Sequence, residues 1–105
     1  MKRKASRPHS EFHMEYLSDP EDARRYLEVA IEEYQKDGDQ AAFLLALKDV
    51  VEAQMGFTEL ARRTGRGRST LYEALSPNGN PRLDTMLAIL DALGILKKGG
   101  GKEAA

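Results

Sequence analysis

The chain has 105 residues, enough for one domain with a real core and no covalent staples. Sixteen Lys and Arg stand against seventeen Asp and Glu, a net charge of -1, which excludes a uniformly basic nucleic-acid coat and an acidic disordered chain. There is no cysteine, and the two histidines, His9 and His13, lie near the start, so a disulfide framework, a thiolate or His-rich metal site and a Ser-His-Asp triad inside the globular part are excluded.

No apolar run approaches the ~20 residues of a membrane span. The basic start, residues 1–7, lacks the hydrophobic stretch of a secretory signal. The expectation is a soluble cytoplasmic protein.

Charge is segregated along the chain. Residues 1–17 carry four basic groups and two acidic ones; residues 18–55 carry four basic against ten acidic; residues 56–105 carry eight basic against five acidic. An acidic first half thus precedes a basic second half, and the near-zero total describes the surface of neither.

Residues 1–17 have weak helical periodicity and read as a flexible arm ending in an apolar docking patch of Phe12, Met14, Tyr16 and Leu17, the alternative being that Phe12 and Leu17 fold back onto the domain's own core. Ser18-Asp19-Pro20-Glu21-Asp22 is a helix start: Asp19 caps, Pro20 suits the first helical position, and Glu21 and Asp22 favour the positive end of the dipole. Leu27, Ala30, Ile31 and Tyr34 then recur at helical spacing up to the stop at Gly38.

Asp39 caps a second predicted helix over 40–55. Its broad apolar face of Phe43, Leu44, Leu47, Val50, Val51 and Met55 predicts burial against more than one neighbour. Short helices follow over 57–64 and 68–75, separated at Gly65. The turn residues Ser76-Pro77-Asn78-Gly79-Asn80-Pro81 lead into a fifth helix over 83–93, with Leu83, Met86, Leu87, Leu90 and Leu93 as its apolar positions. No segment alternates like a strand. The fold class is all-α, a five-helix domain over 18–96 with a flexible tail over 97–105.

The informative stretch is 57–76. Two helices too short to stand alone meet at a glycine. A helix-turn-helix unit needs a small residue at the close approach, a glycine at the turn and apolar residues facing inward; Ala61, Gly65, Leu60, Leu71, Ala74 and Leu75 supply them. An ordinary helical hairpin has similar spacing. The outer face argues for DNA: Arg66, Arg68, Ser69, Thr70 and Tyr72 lie at or near the start of the second helix, the end that enters a major groove. Arg62, Arg63 and Arg82 extend a basic patch of the kind that meets phosphate.

The blocks Gly56-Phe57-Thr58-Glu59-Leu60-Ala61-Arg62-Arg63-Thr64-Gly65, Ser69-Thr70-Leu71-Tyr72-Glu73-Ala74-Leu75-Ser76, Gly79-Asn80-Pro81-Arg82-Leu83-Asp84-Thr85-Met86 and Ala92-Leu93-Gly94 resemble the addiction-module antidote proteins. These are HigA-type antitoxins with a lambda-repressor-like helix-turn-helix. Upstream, Glu15-Tyr16-Leu17, Ala23 with Tyr26-Leu27, and the Gly38-Asp39 break before Phe43-Leu44 fit the same family, so the likeness spans about residues 12–96. It implies an antitoxin of a type II toxin–antitoxin module that neutralises a RelE/HigB-like toxin, and a repressor of its own operon that binds a double-stranded operator, usually as a dimer. It implies no catalysis, cofactor or metal. Phe57 departs from the wider superfamily, where Gln is common at this place; its expected role is core packing.

The candidate DNA-binding residues are Arg62, Arg63, Arg66, Arg68, Ser69, Thr70 and Tyr72. Arg68 is a candidate bidentate reader of guanine or a phosphate anchor; Ser69 is a candidate DNA contact or a helix cap. The candidate toxin-binding residues are Phe12, Tyr16, Leu17, Glu28 and Glu32, the last two sharing a helical face that complements a basic RNA-directed partner. The candidate homodimer interface is Leu90, Leu93, Ile95 and Leu96. Two rival readings remain at this level: a stand-alone phage-like or housekeeping repressor without a toxin, and a helical protein–protein adaptor.

Overall fold

A computed structural model describes residues 15–96. Five helices follow in chain order: α1 (Pro20–Asp37), α2 (Gln40–Gln54), α3 (Gly56–Thr64), α4 (Arg68–Ala74) and α5 (Leu83–Ala92). Residues 15–17 are also helical, and there is no strand among the described residues. The class is all-α, with boundaries within about two residues of those the capping signals predict.

Two of these helices carry their own start signals. Asp19 Oδ1 accepts from the Glu21 and Asp22 amides at 2.9 and 3.4 Å, and Pro20 occupies the first helical position. Asp39 Oδ1 accepts from the Ala42 amide at 3.1 Å. Neither α3 nor α4 has a side-chain cap, so these short helices depend on packing for their existence.

That packing centres on α2. It buries Leu44, Ala46, Leu47, Val50 and Val51 on a face wide enough for several neighbours. Ala23 and Leu27 approach from α1, Phe57 and Leu60 from α3, Leu71 and Leu75 from the α4 end, and Ile89 and Leu93 from the α5 end. α3 contacts α2, α4 and α5, which makes it the inner partner of the second half.

Three expectations are corrected by burial. The segment 1–17 does not behave as an arm to its end, because Leu17 is 0% exposed and fills the core. Gln54 Nε2 fastens it, donating to the Leu17 and Ser18 carbonyls at 2.7 and 3.0 Å. The helical body therefore includes residues 15–17. Phe12, Met14, His9, His13 and the tail 97–105 lie outside the described residues.

On α1 full burial ends at Leu27, and Ala30 packs partly against the core. Ile31 and Tyr34 are exposed, since the helix outruns the core that Ala23 and Leu27 enter. On α5 the inward stripe includes Ile89, fully buried, while Leu83 and Leu87 face outward; Leu83 is 72% exposed.

The loop after α4 is held by a close approach. A Cβ on Gly79 would lie 2.1 Å from the Ala74 carbonyl oxygen, inside any real contact distance. Gln40 Nε2 donates to the Gly79 carbonyl at 2.9 Å, tying this loop to the start of α2. Gly79 thus serves close backbone contact at the end of α4.

Candidate nucleic-acid interface

Gly65 makes the turn between α3 and α4. Its φ of 70° is left-handed, and its amide closes α3 by donating to the Ala61 carbonyl at 2.9 Å. Gly67 is then the N-cap of α4, without a side-chain hydrogen bond. Ser69 therefore sits inside α4 and is not its cap. Leu60, Leu71 and Leu75 are buried, and Ala61 and Ala74 are half-buried, as the inner face of a helix-turn-helix requires. Phe57 is 5% exposed and belongs to the core.

Arg68, Ser69, Thr70, Tyr72 and Glu73 make up the exposed side of α4. Arg68 Nε donates to Thr58 Oγ1 of α3 at 3.2 Å, a neutral partner that leaves its charge uncompensated by this contact. The Tyr72 ring stands edge-on to Phe57 with centroids 5.2 Å apart, and Lys48 Nζ lies 4.9 Å from the Tyr72 ring centre. Tyr72 is thus wedged between a core aromatic and a cation, with its outer side exposed.

The other arginines do not form one open patch. Glu59 accepts from Arg62 Nε at 3.0 Å and from Arg63 Nε at 2.9 Å. These hydrogen bonds, Arg62 first and Arg63 second, hold the Glu59 carboxyl down to about 2. Arg63 also reaches the Ala92 carbonyl at the end of α5. Arg66 and Arg82 both meet Asp84, at 3.7 and 3.3 Å. Arg63, Arg66 and Arg82 are drawn toward α5 and its entry, whereas Arg68 is bonded to Thr58 on the exposed side of α4.

No local pattern in the sequence joins Lys48 or Thr58 to this face. Lys48 comes from α2, and only the tertiary fold brings it over Tyr72. The Glu59 clamp was readable, since Arg62 and Arg63 stand three and four residues after Glu59 on one helical face.

The protein-docking candidates are scattered. Tyr16, Glu28 and Glu32 are exposed, but Leu17 is in the core and unavailable as an anchor. Leu93 is 9% exposed, Leu90 and Ile95 pack partly against the same core, and Leu96 is exposed. The Ile95 carbonyl also accepts from Arg24 at 3.5 Å. Most of the expected dimer surface is therefore spent inside the protomer.

No group of three or more His, Cys, Asp or Glu side chains that could hold a metal occurs among the described residues. No helix among them is long and apolar enough to cross a membrane.

These features define a small all-helical protein whose second half pairs two short helices through a glycine turn and presents a polar, donor-rich face. Residues 9–98 match the model of the probable addiction module antidote protein family, and the chain belongs to that family. It is also 33% identical, over 82 residues, to an uncharacterized protein of Haemophilus influenzae, covering 77% of this chain and 78% of that one. No solved structure matches the chain. Membership in an antidote family gives a regulatory protein with a toxin partner of some kind.

Proposed function

We propose that this antidote protein neutralises a RelE/HigB-like toxin and represses its own operon by binding a double-stranded operator, acting in the cytoplasm and catalysing nothing. The observation that carries the DNA reading is the outer face of α4. Arg68, Ser69, Thr70 and Tyr72 are exposed there, on a helix whose inner side is sealed by Leu71. A helix presented in this way inserts into a major groove, with donors for base edges and phosphates. Lys48 and Thr58 flank it and add a cation and a hydroxyl.

One such unit covers a half-site, so operator recognition calls for a symmetric pair. Leu96, with the exposed Leu83 and Leu87, supplies apolar surface for pairing that the protomer leaves uncovered. Toxin contact falls to the acidic side, through Glu28 and Glu32 of α1 with Tyr16 and Phe12 upstream. On this reading the toxin is held through α1 and the operator through α4, so one chain holds both together.

Titration of the purified protein against its own upstream DNA at two salt concentrations tests the reading. Binding stronger than to unrelated duplex, weakening with salt by about one log unit per log of salt for each phosphate contacted, is expected. Equal affinity for both duplexes removes the repressor function. The antidote role is tested apart from this, by measuring whether the protein relieves inhibition by its toxin.

A further inference from the structure

Glu73 stands out among the carboxylates near the candidate interface. Glu59 is clamped by two arginines and Asp84 is met by two more, yet no ion pair or side-chain hydrogen bond holds Glu73 among the described residues. It is exposed, and it follows Ser69 and Thr70 by four and three residues, so it shares their outward face one turn further along α4. Its backbone is fixed. Ser76 Oγ donates to the Glu73 carbonyl at 2.8 Å, and Gly79 is pressed against Ala74 just behind it.

An ionised carboxylate only accepts hydrogen bonds. Brought between two phosphate strands without a partner, it weakens binding to every duplex. The major groove offers it two base donors, the amino groups of cytosine and adenine. Adenine places its N7 acceptor beside that amino group and repels the second carboxylate oxygen, whereas cytosine carries a C–H at the corresponding place on its own edge.

We infer that Glu73 is a specificity-determining residue that accepts a hydrogen bond from a cytosine amino group in each half-site. The inference rests on the reading that α4 enters the major groove. On every other duplex the same charge is a penalty, so Glu73 raises discrimination and lowers non-specific affinity together.

Selection of binding sites from a random duplex pool tests this and does not require the operator sequence. The full-length wild type, Glu73→Gln and Glu73→Ala are compared, with circular dichroism confirming equal helicity. The wild-type motif is expected to hold one cytosine position that Glu73→Ala relaxes, with discrimination there falling roughly 5- to 150-fold. Glu73→Gln is expected to move that position toward adenine, the base that an amide pairs with through N6 and N7. An unchanged motif in both variants overturns the role of Glu73, and so does a uniform gain in affinity for all duplexes, which marks simple phosphate repulsion. A wild type that enriches no motif overturns the DNA reading itself, and this inference with it.

Discussion

The α1–α2 half and the α3–α5 half meet in one core but present opposite exteriors. The first is built on helices capped by Asp19 and Asp39, and its surplus surface is acidic and apolar. Glu28 and Glu32 face out from α1, and beyond them Ile31 and Tyr34 line a groove with Phe43, Pro81 and Met86. The second half is built on helices without side-chain caps, and its α3–α4 exterior is polar, with apolar surface confined to Leu83, Leu87 and Leu96. Its arginines are largely held by carboxylates, leaving Arg68 bonded only to the neutral Thr58 hydroxyl among the described residues, while Lys48 lies over Tyr72. A net charge near zero thus coexists with two surfaces suited to different kinds of partner.

The sharpest break in this comparison comes from Leu17, which precedes α1 but belongs to the shared core. Leu17→Ala is expected to destabilise the whole domain by about 2–5 kcal/mol, the usual range for truncating a fully buried leucine. Denaturant unfolding measures it. A change under about 0.5 kcal/mol, typical of a surface site, returns Leu17 to the arm.

A second break separates stability from recognition. Arg68→Ala is expected to lower operator affinity by about 1–3 kcal/mol while the melting temperature stays unchanged. A parallel loss of stability means that the Thr58 contact is structural, and unchanged affinity removes Arg68 from the interface.

Reversing charge on the first half is expected to do the converse. Glu28→Lys with Glu32→Lys slows toxin association about tenfold at low salt and leaves DNA affinity alone or raises it. Toxin kinetics and operator titration on one preparation decide this, and an unaltered toxin on-rate moves the docking surface elsewhere.

The smallest expected effect sharpens the comparison from the other side. Glu59→Gln removes the charge that holds Arg62 and Arg63 and steepens the salt dependence of DNA binding by roughly one unit if either arginine then reaches phosphate. In the wild type, the Glu59 carboxyl is expected to titrate by NMR near 2. Because this carboxyl is depressed on folding, its favourable linkage is complete above the ordinary value of 4.5 and fades as pH falls toward 2. A midpoint at 4.5 dissolves the clamp.

Much of the fold was legible because its signals are local. Asp19-Pro20 and Asp39 start helices by bonding to amides two or three residues away, and the Gly65 turn lies within the short segment that predicts it. The apolar face of α2 was legible because helical periodicity alone places Leu44, Leu47 and Val51 on one side. The basic patch was half legible. The arginines and the offsetting Glu59 follow from residue type and spacing, but that Asp84 meets Arg66 follows only from the fold.

The sequence by itself determined the all-α class, the helix starts and the glycine turn between α3 and α4, because each depends on contacts within one or two turns of chain. The tertiary structure alone decided how far each apolar stripe is used. It buried Leu17 and Ile89 and left Ile31, Tyr34, Leu83 and Leu87 outside, because a core of this size accepts only what its neighbours can enclose. It also decided which cations accompany α4. Lys48 reaches Tyr72 from another helix while Arg63 and Arg66 turn toward α5, since charge finds its partner across space and periodicity along a single helix does not record that distance.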